Sequence, residues 1–257
     1  MYDISIVIPG IRTEHWGRIF AEIEGAIGKY KFEVIAVGPN FPPVELQNRL
    51  EFRYVQDYGS PSRAFQIGAS LANGEYIAFI PDDSRVLEKG LEEAIDFLKT
   101  KNKNDGMALV YSEGPNWTGT QHIELSYWTM GFHRLHENRP DIKPEYVMAP
   151  CFLINREFYI EIGGLDCENY YHVNMNAHDL AIRIQKNGGH FYLSPSRVFA
   201  ANWDANFAQS ILYKAYLEKD MPSFNYQWSG EGTNRYKIDF NNWKKSEVYW
   251  KLRYNTE

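Results

Sequence analysis

Two adjacent carboxylates, Asp82 and Asp83, follow a short apolar run at residues 77–80 (IAFI). Because this run contains no polar residue, it predicts a strand that is buried on both faces. Like charges placed side by side repel one another, and burial increases the cost of keeping both ionised. A positively charged group is therefore expected beside the pair, unless the loop that carries it is a solvated turn.

The pair belongs to a regular alternation of predicted strands and helices in the first 111 residues. The pattern predicts strands at 4–8, 32–37, 52–55, 76–80 and 107–111. Helices with one apolar face fall between them. Thr13 is predicted to cap the first helix, and Ser60 to cap a later helix that has Pro61 at its first position. This alternation predicts an α/β fold in which a mostly parallel, twisted sheet carries helices on both faces.

In such sheets, ligands bind beyond the carboxyl ends of the strands. Three of these ends are followed by residues 9–12 (PGIR), 38–40 (GPN) and 81–83 (PDD). We expect the three segments to lie at one edge of the sheet. The Asp pair thereby becomes a candidate site.

The rest of the chain is less regular. Its pattern predicts a strand at 147–154, a short helix capped by Asn155, a helix at 178–187 and a strand at 191–193. Beyond residue 204 the chain is predicted to be helical and rich in aromatic residues. Trp243, Glu247, Trp250 and Tyr254 would share one helical stripe, flanked by Lys244, Lys245, Lys251 and Arg253. Such a stripe can pack on the core or on a second subunit, lie on an anionic membrane, or stack on a sugar.

Composition excludes several classes of protein. The net charge of −6 disfavours non-specific binding to nucleic acid. The two cysteines, Cys151 and Cys167, lack the spacing of a zinc or redox site and are expected to be reduced thiols. No apolar run approaches the roughly 18 residues of a membrane span, and no secretory signal is visible. The expected location is the cytoplasm, with peripheral contact at the membrane as an alternative.

Four stretches of the sequence carry a resemblance to a known family. They are ISIVIPG (4–10), SRAFQIGASLANGEYIAFIPDDS (62–84), APCFLINREFYIEIGGLD (149–166) and AHDLAIRIQKNGGHFYLSP (177–195). In this order they resemble the inverting glycosyltransferases of family 2, which have the GT-A fold. The resemblance covers roughly residues 3–203. It implies a GT-A domain at 1–203, with a nucleotide-sugar half at 1–111 and an acceptor half at 112–203, and a helical extension of the same domain at 204–257.

The resemblance also implies roles for particular residues on the acceptor side. Asp179 matches the general base of the family, and His178 replaces the Glu that usually precedes that base. Gly164 and Asp166 match the turn that often contacts the acceptor. Arg183 follows Asp179 at i+4, where it could pair with that carboxylate or reach a diphosphate oxygen.

On the donor side, the resemblance implies that Asp83 binds a divalent metal, Mn²⁺ or Mg²⁺, with help from Asp82. A hard cation of this kind prefers carboxylate oxygens and stabilises a leaving diphosphate. Pro81 stands where the family usually has its first Asp, and the strand after the 178–187 helix lacks the usual metal-binding His. The remaining candidates for donor contacts are Pro9, Gly10, Arg12, Gly38 and Arg63.

The sequence thus predicts transfer of a sugar from a UDP-, GDP- or dTDP-linked donor to a carbohydrate or lipid-linked glycan, as in polysaccharide assembly. Members of the family commonly carry an Asp after the second strand that reads the base, whereas residues 37–40 (VGPN) of this sequence contain no carboxylate, so the base of the donor stays open. Two rival hypotheses remain. One is a non-catalytic glycan- or nucleotide-binding protein on a degenerate transferase scaffold. The other is a nucleotidyltransferase, although the segment after the first strand lacks the Gly-rich, basic loop typical of that class.

Overall fold

The computed structural model describes residues 2–112, 151–194, 198–201, 211–228 and 235–249. Its strands, in chain order, are β1 (Ile4–Pro9), β2 (Phe32–Gly38), β3 (Phe52–Gln56), β4 (Tyr76–Phe79), β5 (Ser84–Val86), β6 (Gly106–Ala108), β7 (Val110–Ser112), β8 (Phe152–Asn155), β9 (Phe191–Leu193) and β10 (Phe199–Ala201). Two sheets contain them. A seven-stranded sheet has the order β3-β2-β1-β4-β8-β6-β9, and a three-stranded sheet has the order β5-β10-β7.

The larger sheet is mostly parallel, as predicted. Strands β1 to β4 run parallel to one another, whereas β8 pairs antiparallel with both β4 and β6. Strands β1, β2 and β4 are almost entirely buried and largely apolar. Their buried polar residues, Ser5 and Glu33, pair with each other, since Oγ of Ser5 donates to Oε1 of Glu33 at 2.7 Å. Since β1 lies between β2 and β4, the chain order reverses beside β1. In an open α/β sheet, the crevice beyond the strands at such a point is the usual place for a ligand.

The helices are α1 (Trp16–Ala26), α2 (Val44–Gln47), α3 (Pro61–Leu71), α4 (Gly90–Leu98), α5 (Arg156–Glu161), α6 (Val173–Lys186), α7 (Ile211–Ala215) and α8 (Met221–Trp228). A π-helical turn, Tyr216–Asp220, joins α7 to α8, and 3-10 turns occupy Thr13–His15 and Phe240–Lys244. No helix within the described ranges is long and apolar enough to cross a membrane.

Two of the predicted helix caps are confirmed and one is wrong. The side chains of Ser60 and Asn155 accept hydrogen bonds from the N–H groups of Arg63 and Phe158, at 3.3 and 3.2 Å. Thr13 does not cap α1, because a 3-10 turn intervenes and α1 begins only at Trp16.

Three other element predictions need correction. Helix α6 begins at Val173, five residues before the predicted start at His178. The predicted strand at 107–111 is divided between β6 and β7, which lie in different sheets. Residues 245–249 are not helical, so the predicted stripe does not continue from Trp243 to Glu247. Trp250, Lys251, Arg253 and Tyr254 lie outside the described residues, as do residues 113–146 and the first half, 147–150, of the predicted strand at 147–154. The second half of that prediction is confirmed by β8.

Candidate functional site

Asp82 holds the loop that follows β1. It lies in the short connection between β4 and β5, and only 4% of the residue is exposed. Its Oδ2 accepts hydrogen bonds from the backbone N–H groups of Ile11 and Arg12, both at 2.7 Å. Its backbone oxygen also lies 2.8 Å from Nδ1 of His15. These contacts bring residues 9–12 and 81–83 to one edge of the sheet, which confirms that part of the sequence-based prediction.

A cation lies beside the two carboxylates. Nη1 of Arg12 is 2.6 Å from Oδ1 of Asp82 and 3.8 Å from Oδ2 of Asp83. The side chains of Arg12 and Asp83 are 38% and 36% exposed, whereas that of Asp82 is 5% exposed. Partial burial, and then the carboxylate of Asp82, raise the pKa of Asp83 above its ordinary value. The positive group expected next to the Asp pair is therefore provided, at least in part, by Arg12.

The loops after β1 and β2 approach each other through two glycines. Gly10 donates its N–H to the oxygen of Val37 at 3.1 Å, and Nδ2 of Asn40 donates to the oxygen of Ile11 at 2.7 Å. A Cβ on Gly38 would overlap the carbonyl oxygen of Gly10, and a Cβ on Gly10 would lie 2.5 Å from Cβ of Asp82. Only glycine permits this close packing of the three segments.

We expect Gly38→Ala to weaken donor binding and lower stability by about 1–3 kcal/mol, because the two loops must separate. Gly25→Ala in α1 is the matched control, since nothing lies within 4 Å of its added Cβ. That change should be neutral or stabilising by up to about 1 kcal/mol. Urea unfolding and nucleotide titration measure both effects. Equal behaviour of the two variants would contradict the argument.

Arg63 takes part in a network next to this edge. Its Nε donates to both oxygens of Asp57, at 3.1 and 3.2 Å, and its Nη1 donates to the oxygen of Trp243 and, at 3.2 Å, to Oγ of Ser246. Asp57 in turn donates its backbone N–H to the oxygen of Gly38 at 3.1 Å. Arg63 thus joins α3 to the C-terminal segment and reaches the loop after β2 through Asp57. Its predicted direct contact with the donor stays a prediction.

Asp179 lies in the second turn of α6 and is buried. Its Oδ2 accepts from Nε of Arg183 at 2.7 Å, and its Oδ1 accepts from Nε1 of Trp228 at 2.9 Å. Arg183, Trp228 and Asp179 are 0%, 0% and 3% exposed. Burial raises the pKa of Asp179 above its ordinary value, while the charge of Arg183 acts in the opposite direction. The predicted ion pair between Asp179 and Arg183 is confirmed.

The other predicted acceptor-side residues surround this pair. The oxygen of Gly164 accepts from Nη2 of Arg183. Gly163 and Gly164 both have left-handed backbones, with φ of +90° and +65°. Asp166 accepts from Nη2 of Arg235 at 2.6 Å and Nδ2 of Asn169 at 2.7 Å. His178 is buried against Phe224, and burial lowers its pKa to about 3. His178 is therefore neutral over the whole physiological range.

The cluster around Asp179 begins at the same edge of the sheet as the loops after β1 and β2. Ser62, in the first turn of α3, donates its N–H to the oxygen of Tyr171 at 3.4 Å. Tyr171 and His172 precede α6, and their N–H groups donate to Oδ1 and Oδ2 of Asp220, at 2.9 and 2.6 Å. The start of α6 is thus held by a carboxylate from the π-helical turn 216–220.

The stability contribution of Asp220 should depend on pH. Burial raises its pKa to about 7, although its two backbone hydrogen bonds act in the opposite direction. Because the folded state holds the proton more tightly, the contribution is fully present below about pH 4 and lost as the pH rises through about 7. We expect the wild type to lose about 3–4 kcal/mol relative to Asp220→Asn over this interval. Urea unfolding at a series of pH values measures the difference. Parallel curves for the two proteins would contradict the prediction.

The surroundings of Asp82 do not fit a divalent metal ion shared with Asp83, which the family resemblance implies. Oδ2 of Asp82 already accepts two N–H groups, and Oδ1 faces the guanidinium of Arg12. A carboxylate oxygen has two acceptor sites, so only one site on Oδ1 is left, and a metal there would lie against a like charge. Within the described ranges, no group of three or more His, Cys, Asp or Glu side chains could hold a metal ion.

Comparisons with known proteins agree with this architecture. Residues 50–163 match the glycosyl transferase family 2 sequence profile. The crystal structure of S. aureus TarS 1-349 superimposes on this chain with a TM-score of 0.54 and 17% sequence identity. The match covers 91% of this chain and 71% of the TarS chain. The structure of the same protein in complex with UDP is 16% identical, with a TM-score of 0.55, over 89% and 70% of the two chains. A search of curated proteins gave no match.

These findings confirm two predictions from the sequence. The chain has the GT-A fold, which it shares with TarS. The resemblance to family 2 glycosyltransferases is also confirmed, and the matching segment includes Asp82 and Asp83.

Some residues of the site were not identified from the sequence. Asp57 directly follows β3, so its place after a predicted strand was a signal that could have revealed it. Trp228 and Asp220 carried no such signal, because their partners lie about 50 residues away in the sequence.

Proposed function

We propose that the chain transfers a sugar from a nucleotide-sugar donor to a hydroxyl group of a carbohydrate or glycolipid acceptor, with inversion. The observation that carries the proposal is the family 2 match over residues 50–163. The fold shared with TarS, of which a structure in complex with UDP is known, supports it and favours a UDP-linked donor. The donor would lie beyond the carboxyl ends of β1, β2 and β4, against Pro9, Gly10, Arg12, Gly38 and Asp82.

In this proposal Asp179 is the general base. It takes the proton of the acceptor hydroxyl, whose oxygen attacks the anomeric carbon on the face opposite the leaving diphosphate. A pKa raised by burial suits this role, because a base works best when its pKa is near the working pH. Each oxygen of Asp179 accepts one described hydrogen bond and can accept a second. Acceptor binding must nevertheless move neighbouring side chains, since only 3% of Asp179 is exposed.

Gly164, Asp166 and His178 are proposed to shape the acceptor pocket, and Arg183 to position Asp179. No step is assigned to a metal at Asp83, because the surrounding groups do not fit one. The C-terminal segment is still predicted to contact a second subunit or a membrane surface. The boundary at residue 204 between this segment and the rest of the domain is also still a prediction.

The test is an activity screen with UDP-, GDP- and dTDP-sugars and a panel of oligosaccharide and glycolipid acceptors. Release of nucleoside diphosphate that depends on the acceptor supports the proposal, and NMR of the product determines whether the anomeric centre is inverted. Release of pyrophosphate identifies a nucleotidyltransferase instead. Glycan or nucleotide binding without release of either product identifies a binding protein on a transferase scaffold.

A further inference from the structure

The two carboxylates that follow β4, Asp82 and Asp83, differ in their contacts and exposure. Asp82 is a structural group, because its oxygens hold the N–H groups of Ile11 and Arg12 and the guanidinium of Arg12. Asp83 is more exposed, and its closest described cation is the same guanidinium, at 3.8 Å. A single positive side chain therefore serves both carboxylates.

The guanidinium lies near both carboxylates, so it competes with any metal that would use the two of them together. It contacts Oδ1 of Asp82 at 2.6 Å, and more than a third of its side chain is exposed. The backbone of Arg12 is fixed at the same time, since its N–H donates to Oδ2 of Asp82. The position of this charge is thus set by the fold and not only by side-chain preference.

We propose that Arg12 takes the place of a divalent metal in this protein, so that the diphosphate of the donor binds to the guanidinium without Mn²⁺ or Mg²⁺. The inference rests on the proposed function, since it concerns the donor of that reaction. A guanidinium suits this task because it is always charged and presents planar N–H donors that match phosphate oxygens. Beside a breaking glycosidic bond, it would stabilise the negative charge that develops on the leaving diphosphate.

Removing Arg12 should expose a latent metal site. In Arg12→Ala, Asp82 and Asp83 lose their shared cation, and two adjacent carboxylates then favour a hard divalent ion. Arg12→Lys keeps the charge but loses the planar fork, so it should show an intermediate effect. Arg53→Ala is the control. Arg53 is an exposed arginine whose Nη1 donates to the oxygen of Leu71, the last residue of α3.

The experiment is calorimetric titration of UDP, GDP and dTDP into each protein, in EDTA and then with Mn²⁺. The wild type and Arg53→Ala should bind one nucleotide equally well in both conditions. Arg12→Ala should bind it roughly 10- to 100-fold more weakly in EDTA, and Mn²⁺ should restore part of the loss. Titration of Mn²⁺ alone, followed by electron paramagnetic resonance, should show binding to Arg12→Ala and none to the wild type.

The outcomes separate this inference from the proposed function. Nucleotide binding by the wild type that disappears in EDTA overturns the role of Arg12 but leaves the glycosyltransferase proposal intact. If Arg12→Ala binds nucleotide as tightly as the wild type and melts near the same temperature, the role of Arg12 is likewise overturned and the glycosyltransferase proposal is unaffected. If none of the three nucleotides binds to the wild type in either condition, the proposed function fails, and this inference fails with it.

Discussion

Asp179→Asn is expected to reduce sugar transfer by a factor of about 10²–10⁴, which is the usual contribution of a general base. The amide keeps the shape of the side chain but cannot take the proton of an acceptor hydroxyl. Nucleotide affinity should be retained, because the donor loops around Gly10 and Gly38 do not contact Asp179 in the described hydrogen-bond network. Initial-rate measurements and a UDP titration on the same preparation determine the two quantities.

The same substitution should also destabilise the fold, which could be mistaken for a catalytic effect. Arg183 is completely buried, and Asp179 is its partner carboxylate at 2.7 Å. Breaking a buried pair on one side leaves an uncompensated charge and typically costs about 3–5 kcal/mol. A loss of activity in Asp179→Asn alone is therefore ambiguous.

The double variant Asp179→Asn/Arg183→Met resolves the ambiguity. It contains no buried charge at this position, so part of the lost stability should return. The return is incomplete, because the carbonyl oxygens of Ile162 and Gly164 each lose the hydrogen bond from the guanidinium of Arg183. Transfer should stay as low as in the single variant. A double variant that regained both stability and activity would show that Asp179 is structural and that the base lies elsewhere.

The central sheet was predictable from sequence because its strands are buried on both faces. β1, β2 and β4 have largely apolar sequences, interrupted by Ser5 and Glu33, and each is followed by Gly or Pro within two residues. Ser60-Pro61 and Asn155 are local capping signals, and both functioned as predicted. Local chemistry is thus sufficient where the determinants lie within a few residues of one another.

The start of α6 shows where local chemistry fails. The helix begins at Val173, and the two residues before it donate to Asp220, 48 and 49 residues further along the chain. The sequence directly before Val173 contains no typical capping residue, so the sequence-based prediction placed the start of this helix at His178. Asp179 therefore lies in the second turn of α6, and interaction with the N-terminal end of the helix does not explain it.

In the candidate site, too, features set by nearby residues were predictable and contacts between distant residues were not. Arg12, Asp82 and Asp179 were identified from their motifs, but the sequence could not show that Arg12 pairs with Asp82, 70 residues away. Nor could it show that the indole of Trp228 covers Asp179. Sequence patterns located the functional groups, whereas their partners, and hence their charge balance, depend on contacts between distant segments.

Asp82→Asn is the second substitution with a large expected effect. One amide group cannot serve the two backbone N–H groups and the guanidinium, because its nitrogen is itself a donor. The variant should lose about 2–4 kcal/mol of stability and bind nucleotide more weakly, since the loop at 10–12 loses its anchor. Urea unfolding and UDP titration measure both losses.

Asp83→Asn is the matched control, because it neutralises the adjacent carboxylate in the same connection. The side chain of Asp83 is 36% exposed, and its described ion pair with Arg12 is 3.8 Å long. An exposed pair of this kind contributes at most about 1 kcal/mol, so stability should hardly change. Nucleotide affinity should stay the same or increase, since a negative charge near the diphosphate is removed. If Asp83→Asn abolished nucleotide binding while Asp82→Asn did not, Asp83 would be the essential ligand and Asp82 would not be the anchor of the donor loop.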